Sequence, residues 1–485
     1  MTQPIHDSWT IARSGILTHQ HRLAVTANNI ANVDTPGYSR RVARLAPVPE
    51  TPTSLTESRT WSHGAGVRVM DVVRMENTMT STMLRQQVGD ASGHRQQADA
   101  LGGLEALLRE DGDSSLGARL DAFWNAWSDL ANQADNVGFR SVVIQSGVSL
   151  ASHLQSLDGR IDSFDEQIIT GAPGTFTGLL PSDVDEFNRL TEELQDLNKR
   201  ISFGFGSAEP YALMDRRDVI LQELSGMANV QVGSDFAVTL DGQSVVSANG
   251  DDRFALEISD AGPPPVFQID GVGVSVTSGN IGAWSSVLDV SASLRDRLDT
   301  LAADLADAVN SIHNSDKRLS GDSYDLDGQR CDWDFFTGST AADISVNTLI
   351  YDPANPMDMQ PWRVAAAGSV YDDGAGGTAP NPGDGARALE IAMLADATRA
   401  ALNGQGFGAY HATGLTLLGG VIATEGELAD DGDAIVDALT DELQAEVGVN
   451  MDEELMDMMS AQRAFQAASK LLQTVDEMMQ TILQF

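Results

Sequence analysis

The segment "SYDLDGQRCDWD", Ser323–Asp334, carries the best-spaced set of side chains for holding a cation. Asp325, Asp327 and Gly328 fall at positions three, five and six of a calcium-loop template, with Asp334 at twelve. Ser323 takes the first position, where an aspartate is expected. Cys331 is a poor calcium ligand, and the loop lacks the bidentate glutamate. The favoured reading is an Asp-rich turn whose carboxylates bond their own backbone, so no metal and no cofactor are expected. Histidines number 8, and none forms an H-E-x-x-H pair. His19 and His21 flank Gln20, two apart, and do not share a helix face. "GAPGTFTG", Gly171–Gly178, lacks the G-K-[ST] of a phosphate loop, and no G-x-S-x-G nucleophile elbow occurs. No catalytic residue is assigned, and the chain reads as a non-enzyme.

Two polar stretches remain. "DRRD", Asp215–Asp218, puts two carboxylates three apart on a helix, with Arg neighbours. The plain expectation is a surface ion-pair network worth under ~1 kcal/mol per pair; the alternative is a charge patch facing another subunit. "ANNIANVDTPGYSRR", Ala27–Arg41, ends a helix with Asn28, Asn29 and Asn32, all mediocre helix formers. Either the helix end is ragged or the amides face a polar partner. After it, Pro36 presets φ and Gly37 supplies φ > 0, which predicts a type II turn and then an extended arm.

The elements that position these residues are mostly helices. Ile5, Trp9, Ala12, Ile16, Leu23 and Ile30 make one long N-terminal stripe. At the C-terminus Met458, Ala461, Phe465, Ala468, Leu472, Val475, Met479 and Ile482 alternate steps of three and four, a heptad seam that predicts a coiled coil. Between them, narrow stripes run from Leu150 to Ile168, Val184 to Ile201, Leu213 to Leu224 and Leu294 to Ile312, with an aromatic-rich helix over Leu116–Asn132. Such stripes suit long helices side by side. From Ala228 to Trp284 apolar and polar residues alternate between Asp-Gly and Asn-Gly turns, which reads as one antiparallel β unit. Asp316–Gly385 is irregular and rich in Gly, Pro and Asp.

The resulting fold class is mainly α with a smaller β part: an elongated, nested rod with paired N- and C-terminal coiled-coil helices, a long-helix bundle and a β-rich outer domain. The expected divisions are 1–50 with 445–485 as terminal coiled coil, 51–227 with 285–320 and 385–444 as bundle, and 228–284 with 321–384 as outer domain. An amphipathic end reaching nearly to Phe485 needs a partner. In a dilute monomer the ends are expected to be mobile; where ordered, they are expected to pair with each other or with a neighbouring molecule.

Composition narrows the function. The net charge of −40 argues against nucleic acid. No run of about 18 apolar residues predicts membrane insertion, and "MTQPIHDSWTIARSG" lacks the pattern of a cleavable signal. The single cysteine, Cys331, excludes an internal disulfide framework.

"NNIANVDTPGYSR" resembles the signature of the bacterial flagellar axial proteins, the family of rod, hook and hook-associated subunits. Three further stretches narrow the resemblance to its hook-associated protein 1 branch, at the hook–filament junction. They are "GVNMDEELMDMMSAQRAFQAASKLLQTVDEMMQTIL" (Gly448–Leu483), "LMDRRDVILQELS" (Leu213–Ser225) and "YDLDGQRCDWDFF" (Tyr324–Phe336). The outer region is short beside that of larger relatives. The resemblance implies a structural protein exported unfolded by the flagellar type III apparatus, with a chaperone on its C-terminal helix. It implies a ring-like homo-oligomeric layer touching hook protein and a second hook-associated junction protein. Subunit packing would use Asn28, Asn29, Asn32, Thr35, Pro36, Gly37 and Tyr38, with Met458, Phe465, Leu472, Val475, Met479 and Ile482. Asp215, Arg217, Asp218, Asp325, Asp327 and Gly328 would be structural motif residues. On this reading the face shared by Asn28 and Asn32 meets neighbouring subunits, and the turn leads the chain out of the core. The alternatives are a hook or rod subunit, or a secreted acidic calcium-binding adhesin or enzyme.

Overall fold

The computed structural model describes residues 3–48, 64–110, 112, 115–203, 210–372, 378–381 and 383–483. Its helices are α1 (Gln3–Ala31), α2 (Thr78–Leu108), α3 (Leu116–Asn132), α4 (Val137–Ile168), α5 (Leu179–Phe203), α6 (Tyr211–Met227), α7 (Gly279–His313), α8 (Ala386–Ala392), α9 (Phe407–Val447) and α10 (Met451–Leu483). The chain is mainly α, and divides into two compact units whose boundaries fall within α2, α5 and α9 and at residues 256/257.

One unit comprises 1–91, 186–256 and 430–485. In it α1 lies against α10, so the described parts of the two ends pair. After α1 the chain enters an antiparallel pair, β1 (Arg41–Pro47) with β2 (Val67–Arg74), whose register shifts between Arg44 and Leu45. Thr18 Oγ1 donates to Val67 O (3.0 Å) and Val67 N donates to Ser14 Oγ (3.2 Å), which ties β2 to the side of α1. A three-stranded sheet, β3 (Val230–Val232), β4 (Val238–Leu240) and β5 (Gln243–Val246), follows α6.

The other unit comprises 92–185 and 257–429. The Leu150–Ile168 stripe of α4 and the Leu294–Val309 stripe of α7 are buried as the periodicity predicts. On α3, Phe123 meets Phe335 and Phe336 at centroid distances of 6.0 and 5.5 Å, and Trp127 meets Phe335 at 5.4 Å. Each such pair adds roughly 0.5–1.5 kcal/mol beyond its buried area. Asn310 fixes the two phenylalanines by their backbone: its Oδ1 accepts from Phe335 N (2.8 Å) and Phe336 N (3.0 Å), and its Nδ2 donates to Phe336 O (2.8 Å). Gly147 lets α4 approach the cluster, because a Cβ there would sit 2.9 Å from the Phe335 ring.

The alternating region 228–284 contains two sheets rather than one. β6 (Leu256–Asp260), β7 (Val266–Ile269) and β8 (Val272–Val274) form a separate three-stranded sheet after β3–β5. The loop 247–254 that separates them is closed on itself, with Ser247 Oγ accepting from Asp252 N (2.9 Å).

Candidate functional site

Helix α1 ends in an amide-rich turn whose members have different partners. Asn29 is 1% exposed. Its Nδ2 donates to Arg41 O (2.9 Å), while its Oδ1 accepts from Arg41 N (3.1 Å) and from the Tyr38 hydroxyl (2.9 Å). One side chain thereby joins the end of α1 to the start of β1. Asn28 and Asn32 lie toward the surface and bond each other, Asn32 Nδ2 donating to Asn28 O (2.8 Å) and Oδ1 (2.6 Å). Thr35 O accepts from Tyr38 N (3.1 Å) around Pro36 and Gly37, and Gly37 has φ +74°. A Cβ on Gly37 would lie 2.4 Å from Val219 Cγ2, so the turn packs on α6 and only glycine fits.

The same helix holds the "DRRD" residues, and they are not a surface network. Asp215 is 8% and Arg217 6% exposed. Asp215 receives Arg41 Nη2 (3.2 Å) and Arg74 Nε (2.7 Å), and Asp218 receives Arg74 Nη2 (2.5 Å). Burial opposes the charge of Arg74, but Asp218 and Asp215 together hold its pKa above the ordinary value. The Arg41 guanidinium also lies 4.9 Å from the Tyr38 ring centroid and 5.2 Å from that of Tyr211, whose hydroxyl donates to Val72 O. Arg217 points the other way, 3.4 Å from the Phe236 ring centroid, and burial pulls its pKa down to about 10. The surface expectation failed because helical spacing says nothing about partners distant in sequence, and both arginines that bind Asp215 come from the hairpin.

The α1–α10 pair is closed by apolar and charged contacts. A Cβ on Gly15 would sit 3.4 Å from Ala468 Cβ. Ala461 and Val475 are buried, Met458, Phe465 and Leu472 half-buried, and Met479 exposed. Ile482 lies in the last turn of α10. Arg22 pairs with Asp457 (2.9 Å), Arg40 pairs with Glu454 (2.7 Å) and Glu453 (3.0 Å), and Arg40 N donates to Val447 O (2.8 Å). Away from this seam α10 exposes Leu455, Met456, Met459, Leu471 and Met478. The heptad reading missed this second face; five large apolar residues outside the seam positions were the available signal.

In the other unit Asp325 Oδ1 accepts from Asp327 N (3.0 Å) and Gln329 N (2.7 Å), and Gly328 has φ +75°. Burial pushes the Asp325 carboxyl up. Asp334 is held by Asn314 Nδ2 (2.8 Å) and Lys317 Nζ (2.8 Å). Asp325 is thus tied to the backbone of its own loop, and Asp334 to side chains at the end of α7 and in the turn that follows it. Among the described residues no group of three or more His, Cys, Asp or Glu is placed to hold a metal. Burial pushes the Cys331 thiol up to about 12, which makes it a poor nucleophile. No described helix is long and apolar enough to cross a membrane.

Three family models match separate stretches: the flagellar hook-associated protein FlgK helical domain over residues 101–336, the flagellar basal body rod FlgEFG protein C-terminal segment over 445–485, and the flagella basal body rod protein over 10–38. Flagellar hook-associated protein 1 of Bacillus subtilis (strain 168) is 24% identical, covering 97% of this chain and 96% of the relative. That of Escherichia coli (strain K12) is 24% identical over 74% of this chain and 68% of the relative. The Salmonella typhimurium protein of the same name is 26% identical, and the match spans 58% of its length. The flagellar hook junction protein FlgK from Burkholderia pseudomallei shares the fold at a TM-score of 0.56 and 14% identity, over 75% of this chain and 99% of that one. A hook-associated helical domain between two rod-type ends, with one relative aligned from end to end, marks the chain as a structural component of the bacterial flagellum, similar along its length to flagellar hook-associated protein 1.

Proposed function

We propose that the chain joins hook to filament as an adaptor without catalytic activity, packing through its terminal helices into a ring-like layer of copies. The observation that carries this is the two-sided character of α10. One side packs on α1, while Leu455, Met456, Met459, Leu471 and Met478 stand exposed on the rest of the helix. Burying such a side chain contributes on the order of 1.5–3 kcal/mol, so neighbours that cover this face gain a large stabilisation. The exposed Asn28–Asn32 pair and the turn Thr35–Tyr38 supply polar contacts that fix register beside it. Hook protein and a second hook-associated junction protein are the neighbours above and below.

Export in the unfolded state through the flagellar type III apparatus completes the reading, with a chaperone covering the apolar C-terminal helix beforehand. One cysteine and no disulfide framework suit that route. The nested three-part organisation belongs to the same proposal and is checked by limited proteolysis. The decisive experiment deletes residues 455–485 and scores filament attachment and swarming. Normal filaments on the deletion strain would sink the adaptor reading. Immunogold label along the whole hook, rather than at its distal end, would favour a hook subunit instead.

A further inference from the structure

A cleft of about 530 Å³ opens between the C-terminal end of α2, α3 and α4. Ser149, Ser152, His153, Ser156 and Arg160 occupy one face of α4, beside its buried leucine stripe, and Arg109 and Arg119 close the other sides. The chain has 70 acidic and 30 basic residues, and its other arginines commonly find a carboxylate, as Arg74 and Arg399 do. Arg119 and Arg160 do not. Among the described residues Arg119 Nη1 donates to Ser149 Oγ, and Arg160 Nη1 donates to Leu107 O (3.0 Å), both neutral acceptors. Arg119 Nε is buried with no acceptor. Such a group destabilises the fold unless an acceptor arrives.

Among the described residues the acidic residue lining the cleft is Glu110, and it does not neutralise them. Its Oε1 contacts His153 Nε2, and its Oε2 accepts from Leu116 N (2.9 Å) and lies 3.5 Å from His411 Nε2. Burial works against its charge, and these hydrogen bonds overcome that and hold the carboxyl well below the usual range. The guanidinium groups therefore face a polar cleft lined by hydroxyls, of small-molecule size. Guanidinium forks match phosphate and carboxylate oxygens in geometry and charge.

We propose that this cleft is a binding site for a small multivalent oxyanion, a phosphate or a polycarboxylate, held by Arg119 and Arg160 with the α4 serines donating. The site is separate from the terminal helices, so it stands whether or not the adaptor reading does. The test is isothermal titration of the full chain with inorganic phosphate and with citrate at pH 7, ionic strength held constant with sodium chloride. Saturable one-site binding is expected for at least one of them, weakened roughly tenfold or more by R119Q and by R160Q and unchanged by R189Q, an exposed arginine on α5. Arg160 is the less constrained of the two, so R160Q serves if R119Q fails to fold. Both anions stabilise proteins generally, so a melting shift counts only as a difference between wild type and R160Q. No saturable heat from either anion, or equal affinity in R160Q, would overturn the proposal.

Discussion

Asn29 holds Arg41 by both of its main-chain groups, Nδ2 donating to the carbonyl at 2.9 Å and Oδ1 accepting from the amide at 3.1 Å. A side-chain amide thus satisfies both main-chain groups of the first residue of β1, which lies opposite Arg74 of β2. Arg41 then carries its own side chain to Asp215 on α6. Through two residues the end of α1 is linked to a helix far along the chain.

Asn29→Ala is expected to lower unfolding free energy by about 2 kcal/mol, because it leaves a buried N–H, a carbonyl and the Tyr38 hydroxyl without this partner. Asn28→Ala with Asn32→Ala removes only an exposed pair and is expected to change stability by about 0.5 kcal/mol or less, while impairing filament attachment. Urea denaturation and a swarming assay on the same variants separate the two. Equal stability losses would show that the amides act as one structural unit.

Asp215→Ala leaves Arg41 and Arg74 facing each other in a mostly buried site, with side-chain exposures of 16% and 8%. A loss of about 3 kcal/mol is expected. Asp218→Ala removes a carboxylate whose side chain is 32% exposed, and about 1 kcal/mol or less is expected. Stability ranks the pair; a larger effect at Asp218 would refute the central role given to Asp215.

How much of this was legible depends on how local each cause is. The stripes of α4, α5 and α7 and the Pro36–Gly37 turn follow from neighbouring residues, and the sequence displays them. α2 escaped because its 31 residues include glutamines, glycines and threonines with no sustained stripe. α9 escaped because its glycines and carboxylates hide its periodicity; Gly432, for example, allows contact with Ala91, where a Cβ would come within 2.8 Å. The burial of Asp215 was illegible for a related reason. Its partners Arg41 and Arg74 lie over 140 residues away, and only the folded hairpin delivers them. The Asn29 clasp spans twelve residues; helical spacing sets Asn29 off the face shared by Asn28 and Asn32 but names no partner for it.

Acid should loosen the unit that contains His313. This ring is fully buried, with Nδ1 bonded to Trp333 O (3.1 Å) and Nε2 accepting from Ala365 N (3.0 Å). Burial lowers its pKa to about 4, against an ordinary value of 6.5. The unfolded chain then binds more protons between those values, so stability falls as pH drops from about 6.5 toward 4, by about 3 kcal/mol in all. Asp158, Asp165 and Asp183, raised by burial, act with the opposite sign at the acid end. The clean window is therefore the part of this range nearest pH 6.5. Hydrogen exchange at the Ala365 amide, corrected for its intrinsic rate, should speed up across it. His313→Gln should be less stable but flat over the same range; an unchanged slope would assign the effect elsewhere.

The exposed face of α10 gives the sharpest separation between fold and assembly. Val475 is 1% exposed within the α1 seam, and Val475→Ser is expected to weaken the pairing of the ends by on the order of 1–3 kcal/mol. Met456, Met459 and Met478 are 60%, 50% and 45% exposed. Replacing all three by serine removes little buried area, so the melting temperature of the isolated chain should hold within a degree or two. If neighbouring subunits cover this face, the triple variant should nonetheless lose filament attachment, and crosslinking between copies should drop with it. A folded triple variant that supports normal filaments would mean that the subunit contacts use other residues, and would return the burden of assembly to the Asn28–Asn32 face and the turn at Pro36.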